Sequence, residues 1–134
     1  MLVPVTVSWP DISANGQYAL YHINASLGPT IHVVRLSEGA PVEFSQEGTR
    51  AKFAANGHSI LFIDNKSGDI VSAEFPSAYG APVKVLVPAY PDILTETFDV
   101  TPDGRRLVVA YEQNTRSLVV ADGVPEVKPA TRAK

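Results

Sequence analysis

Apolar and polar positions along this chain change over in short runs, each stopped within a few residues by Gly, Pro, Asn or Asp. That punctuation predicts brief strands joined by tight turns and leaves almost nothing with a helical period. The sharpest run is SILFID, Ser59–Asp64, where Ile60 and Phe62 alternate with Leu61 and Ile63, so both faces of the strand are apolar. A strand of that kind belongs in a sheet sandwiched between neighbouring sheets. Comparable runs predict strands at Gln17–Ile23, Thr30–Leu36, Pro41–Ser45, Arg50–Ala54, Ile70–Phe75, Lys84–Val87, Glu96–Val100, Arg106–Glu112 and Ser117–Asp122.

Three stretches align without gaps: DISANGQYALY from Asp11, KFAANGHSILF from Lys52 and DVTPDGRRLVV from Asp99. Each places Asn-Gly or Asp-Gly directly before a strand-like run, with the glycines at Gly16, Gly57 and Gly104. This pairing is the strongest local hairpin signal, because Asn, Asp and Gly tolerate the positive φ of a tight turn. The spacing of the three glycines suits a four-stranded propeller blade of roughly 40 to 45 residues, the second interval being stretched by PAYPDILTE. Repeat units are expected at about 8–45, 50–87 and 96–127, within one partial propeller domain spanning 1–134. The opening LVPVTV resembles the outer strand KVLVPA at Lys84, and VPEVKP is the candidate outer strand of the third unit. The expected total is twelve strands, or three blades.

The eleven prolines fall at expected strand edges and connections, where a missing N–H does no harm. Hydrophobic residues make up 45% of the 134, enough for one packed core. A net charge of −3, with basic residues gathered only at Arg105-Arg106 and in the tail KPATRAK, argues against a nucleic-acid partner. The tail reads as a frayed terminus. There is no cysteine, which excludes disulfides and thiolate metal sites. No apolar run is long enough for a membrane-crossing helix, and the first ten residues lack the plan of a signal peptide. The compartment stays unknown.

The stretches DISANG, KFAANG and FDVTPDG resemble the TolB-type, WD-like β-propeller repeat. Two copies carry Ala at that repeat's Pro position, and Lys52 stands where the others have Asp. The resemblance implies an all-β fold of about three four-stranded antiparallel blades, half of a six-bladed ring. It also implies the kinds of host such repeats occur in: bacterial scaffolds, propellers preceding prolyl-oligopeptidase-type hydrolases, and propellers attached to bacterial kinase domains. Three blades alone would leave an apolar sheet face in water at each end, at a cost on the order of 10 kcal/mol for several hundred Å². The expectation is therefore a homo-oligomer, a dimer completing the ring, or the remainder of a longer chain.

Asp11, Ser13, Asn15 and Gly16, and likewise Asp99, Thr101, Asp103 and Gly104, match the first positions of a calcium loop. The closing Glu is absent, with His22 and Ala110 in its place, so no metal is expected. These residues, with Asn56 and Gly57, are read as turn formers. Asp11 and Asp99 are expected to accept backbone N–H groups within their own turns. His22 and His32, on adjacent strands, are read as a cross-strand pair, and His58 as an exposed turn residue. Trp9, Phe53 and Phe98 recur with the repeat and are expected to pack between blades.

No nucleophile elbow, Walker loop or dinucleotide motif occurs, so no catalytic residue and no cofactor is assigned. The long irregular segment from Glu74 to Glu96 is the place to seek a partner-binding loop, with Tyr79, Tyr90, Asp92 and Glu96 as candidates. The leading reading is a non-catalytic scaffold for protein or peptide contacts. The alternative is the propeller portion of a larger enzyme, and a carbohydrate-binding propeller ranks third.

Overall fold

The computed structural model describes residues 7–24, 28–78, 81–112, 117–122 and 131–132. All of its regular structure is strand. A seven-stranded antiparallel sheet runs β1 (Val7–Ile12), β2 (Tyr18–Ile23), β3 (Thr30–Arg35), β4 (Ala40–Phe53), β5 (Ser59–Asp64), β6 (Ile70–Glu74) and β7 (Lys84–Val87) in chain order. A four-stranded antiparallel sheet follows, with β8 (Leu94–Val100), β9 (Arg106–Glu112), β10 (Ser117–Asp122) and β11 (Thr131–Arg132).

The seven-stranded sheet is two blades sharing one strand. Residues 40–47 of β4 pair with β3, and residues 48–53 of the same strand pair with β5. Sequence reading separates Pro41–Ser45 from Arg50–Ala54; the backbone runs through without a break. Gly48 permits this: a Cβ there would lie 2.8 Å from the Ile63 carbonyl oxygen and inside the ring of Phe62. Blade 1 is thus β1 to the first half of β4, blade 2 the second half of β4 to β7, and blade 3 β8 to β11.

Two apolar clusters hold the blades together. Leu20, Ile31, Val33 and Phe44 of blade 1 meet Ile60, Phe62, Val71 and Phe75 of blade 2. On the other face of blade 2, Leu61, Ile63, Ile70 and Val87 meet Phe98, Leu107, Val109 and Tyr111 of blade 3. Five consecutive residues of β5 are buried, as its two apolar faces require. Each large apolar side chain so buried contributes about 1.5–3 kcal/mol. Phe53 packs on the first cluster and Phe98 lies in the second.

One expectation changes. The third blade takes its fourth strand from the tail read as frayed, Val119 and Val120 pairing with Arg132 and Thr131. The candidate VPEVKP lies outside the described residues, as do residues 2–6 of the LVPVTV stretch, while its last residue, Val7, opens the inner strand β1.

Candidate functional site

The three repeat turns share one backbone design. Gly16, Gly57 and Gly104 adopt φ of 73°, 76° and 72°, and their N–H groups donate to the carbonyls of Ser13, Ala54 and Thr101. The residue before each glycine braces the turn: Asn15 Oδ1 accepts the Gln17 N–H, Asn56 Oδ1 the His58 N–H, and Asp103 Oδ1 the Arg105 N–H. Asp103 also accepts the Thr101 hydroxyl at 2.6 Å, and these hydrogen bonds, that of Thr101 foremost, hold its carboxyl below the ordinary value. Asn and Asp serve equally because the turn uses only the side-chain oxygen.

Asp11 departs from the expectation. Its carboxylate reaches out of its own blade to accept the Phe53 N–H of blade 2 at 3.0 Å. Asp99 accepts the N–H of the adjacent Val100 and pairs with Lys52 at 3.8 Å. The histidines also differ from the cross-strand reading. Register places His22 opposite Ile31 and His32 opposite Tyr21, so alternation sends the two rings to opposite faces. His22 is fully buried and its Nε2 accepts the Ala51 N–H of blade 2 at 3.2 Å. His32 stacks on Tyr21 with ring centroids 5.8 Å apart, and burial lowers its pKa from 6.5. His58 is exposed in its turn. Among the described residues no three His, Asp or Glu side chains come together as a metal site.

The candidate loop residues go to different places. Tyr79 lies outside the described residues. Tyr90 packs on the cluster between blades 2 and 3, its ring 5.2 Å from that of Tyr111. Asp92 is exposed at φ 62°, and Glu96 is half-buried in β8. The concave surface lies nearer the start of the irregular segment. The chain leaves β6 through a cis Phe75-Pro76 bond and crosses toward blade 1, where the Ser77 N–H donates to the Glu43 carbonyl at 2.7 Å. The Gln46 amide then donates to the Ala81 carbonyl at 3.0 Å, so the segment straps the seam between the two blades.

Grooves open on both sides of this strap. One, of about 390 Å³, is lined by Gln46, Asp64, Lys66 and Pro82 among others. The second, of about 640 Å³, is lined by Asn56, Glu74, Ser77 and Lys84 among others, and shares Ala81, Pro82 and Val83 with the first. Val83, 39% exposed, lines both grooves, and Val85, 50% exposed, follows two residues along in β7, whose outer edge pairs with no other described strand. Sequence reading singled out the aromatic and acidic residues of this segment, whereas the residues that line the grooves, Ala81, Pro82 and Val83, carry no motif.

Solved structures share the fold of these blades. TolB from Acinetobacter baumannii superimposes with a TM-score of 0.68 at 17% identity, over 92% of this chain and 31% of that one. The putative TolB from Agrobacterium tumefaciens matches at TM-score 0.73 and 11% identity, over 96% of this chain and 49% of that one.

The fold is a TolB-like β-propeller.

The TolB-like blades also match prolyl oligopeptidase B from Galerina marginata, at TM-score 0.71 and 13% identity, over 96% of this chain and 22% of that one. This TolB-like chain spans from about a fifth to about half of the proteins it matches. No protein-family sequence profile and no curated protein sequence matches it.

Proposed function

We propose that this propeller module is a non-catalytic scaffold that binds a peptide or an extended protein segment across the seam of blades 1 and 2. The observation that carries this reading is exposed Val83, shared by two polar-lined grooves, with exposed Val85 two residues along in β7, whose outer edge pairs with no other described strand. A peptide lying there would place alternate apolar side chains on the valines and meet Gln46, Asp64 and Lys66 with its backbone or polar groups. Extended peptides commonly bind at free sheet edges in this way. Attachment of the same module to a hydrolase is the second reading, favoured by the likeness to prolyl oligopeptidase B.

Probing a random peptide array with the purified chain tests the scaffold reading. A consistent set of peptides is expected to bind and to lose at least about tenfold in affinity with Val83→Asp or Val85→Asp, the loss of one buried apolar anchor. Peptides retained equally by both variants would place recognition elsewhere and refute the assignment.

A further inference from the structure

Both joints inside the arc are built from the same repeat positions, and these supply a template for the two end blades. The residue five before each turn glycine reaches forward to the next blade: Asp11 takes the Phe53 N–H, and Lys52 meets Asp99. The residue four before each glycine faces backward: Phe53 packs on the cluster with blade 1, and Val100 on the cluster with blade 2. At the ends these two positions stand in water. The forward acid of blade 3 is Asp99, with a side chain 78% exposed, and the backward knob of blade 1 is Ile12, 60% exposed.

The sheet faces beside them correspond as well. On blade 3, Val108 and Val120 pair across β9 and β10, with Ala110 two residues along. These take the places that Leu20 and His22 hold on blade 1 and Leu61 and Ile63 on blade 2. On blade 1, Ile12 lies opposite Ala19, followed on the same face by Tyr21 and Ile23. A further pair of positions fits by what it lacks. At the first joint His22, six after its glycine, accepts the N–H of Ala51, six before the next glycine. The matching end residues are Ala110, which has no side-chain acceptor, and Pro10, which has no N–H.

We infer that the occupant of both end faces is a second copy of this chain, related by a twofold axis, so that blade 3 of each copy packs on blade 1 of the other. The inference builds on the propeller reading and is independent of the proposed groove. Six blades then close without an exposed end face, and each joint seats Ile12 of one copy against Val108, Ala110 and Val120 of the other. Asp99 accepts the Ile12 N–H across the joint, as Asp11 accepts that of Phe53. The chain covers 49% of the A. tumefaciens protein, so two copies equal its length. One term opposes assembly: Asp99 and Asp11 of the two copies face each other across the joint, and salt screens that repulsion.

Sedimentation equilibrium of the 134-residue chain tests this. A dimer that tightens with added salt is expected. Ile12→Arg is expected to weaken self-association at least about 30-fold, since symmetry puts the charge into both joints. Val120→Arg, on the opposite face, is expected to do the same while far-UV circular dichroism stays that of the wild type. A monomer at every concentration up to about the millimolar ceiling of weak association, or a dimer indifferent to both substitutions, would overturn the inference. Peptide binding by a monomer would leave the groove assignment standing, and a dimer that binds no peptide would leave this inference standing.

Discussion

Single residues tie the blades together through polar atoms placed at the seams. His22 is the clearest: its buried Nε2 is the acceptor for the Ala51 N–H, which fixes the proton on Nδ1. His22→Ala is predicted to cost about 1–3 kcal/mol for the orphaned N–H alone, before any cavity term, measured as a lowered urea midpoint. His32, on the other face, gives a pH dependence. Burial lowers its folded pKa from 6.5, so the unfolded chain takes up the proton first. Its effect on stability is nil above the unfolded value, turns unfavourable as pH falls through about 6.5, and levels off below the folded value. Urea midpoints are predicted to fall between pH 8 and pH 5, and His32→Gln to flatten that decline. Neither role was readable from sequence, where both residues are histidines on strands; a register of one residue decides which ring is buried.

Among the elements, β4 carries the most consequence. Its fourteen residues serve as the outer strand of one blade and the inner strand of the next. Gly48 sits where the strand passes from one role to the other, against Phe62 and the Ile63 carbonyl. Gly48→Ala is predicted to destabilise by about 1–3 kcal/mol through overpacking, read by thermal or urea unfolding, and to loosen both blades together. The inner strands of blades 1 and 2 carry a bulge at the same repeat position, between Ser8 and Asp11 and between Thr49 and Lys52. In blade 2 this bulge includes Arg50 at φ 56° and precedes the N–H given to His22. Strand and turn positions were plain in the sequence because local alternation and Asn-Gly chemistry specify them. The continuity of β4 was not, because QEGTR between its halves reads as a polar, glycine-containing loop.

For the whole molecule, what matters is that an arc of blades buries both faces of its middle sheet, while among the described residues Ile12 and Val120 on the outward faces of the end sheets stand exposed. The same physics that sandwiches β5 acts on the ends, and the peptide-array and sedimentation experiments address the two surfaces separately. Of the grooves beside Val83, one lies on the seam of blades 1 and 2 and the other is lined by blade 2, whereas Ile12 and Val120 lie on the end faces. Substitutions on one surface are therefore expected to leave the other's behaviour unchanged.

The amino-acid sequence alone determined the all-β class, the three hairpin turns and the two-faced middle strand. Each of these follows from interactions among residues close in the chain: φ at Gly16, Gly57 and Gly104, and the two-residue alternation of Ser59–Asp64. Tertiary structure alone decided that Asp11 serves the neighbouring blade, that His22 and His32 part company, and that Tyr90 packs inward while Val83 and Val85 face out. Those outcomes depend on register and on which sheet lies across from which. Contacts between residues some 30 to 40 positions apart leave no local pattern, because the chain meets itself there only once the blades have stacked.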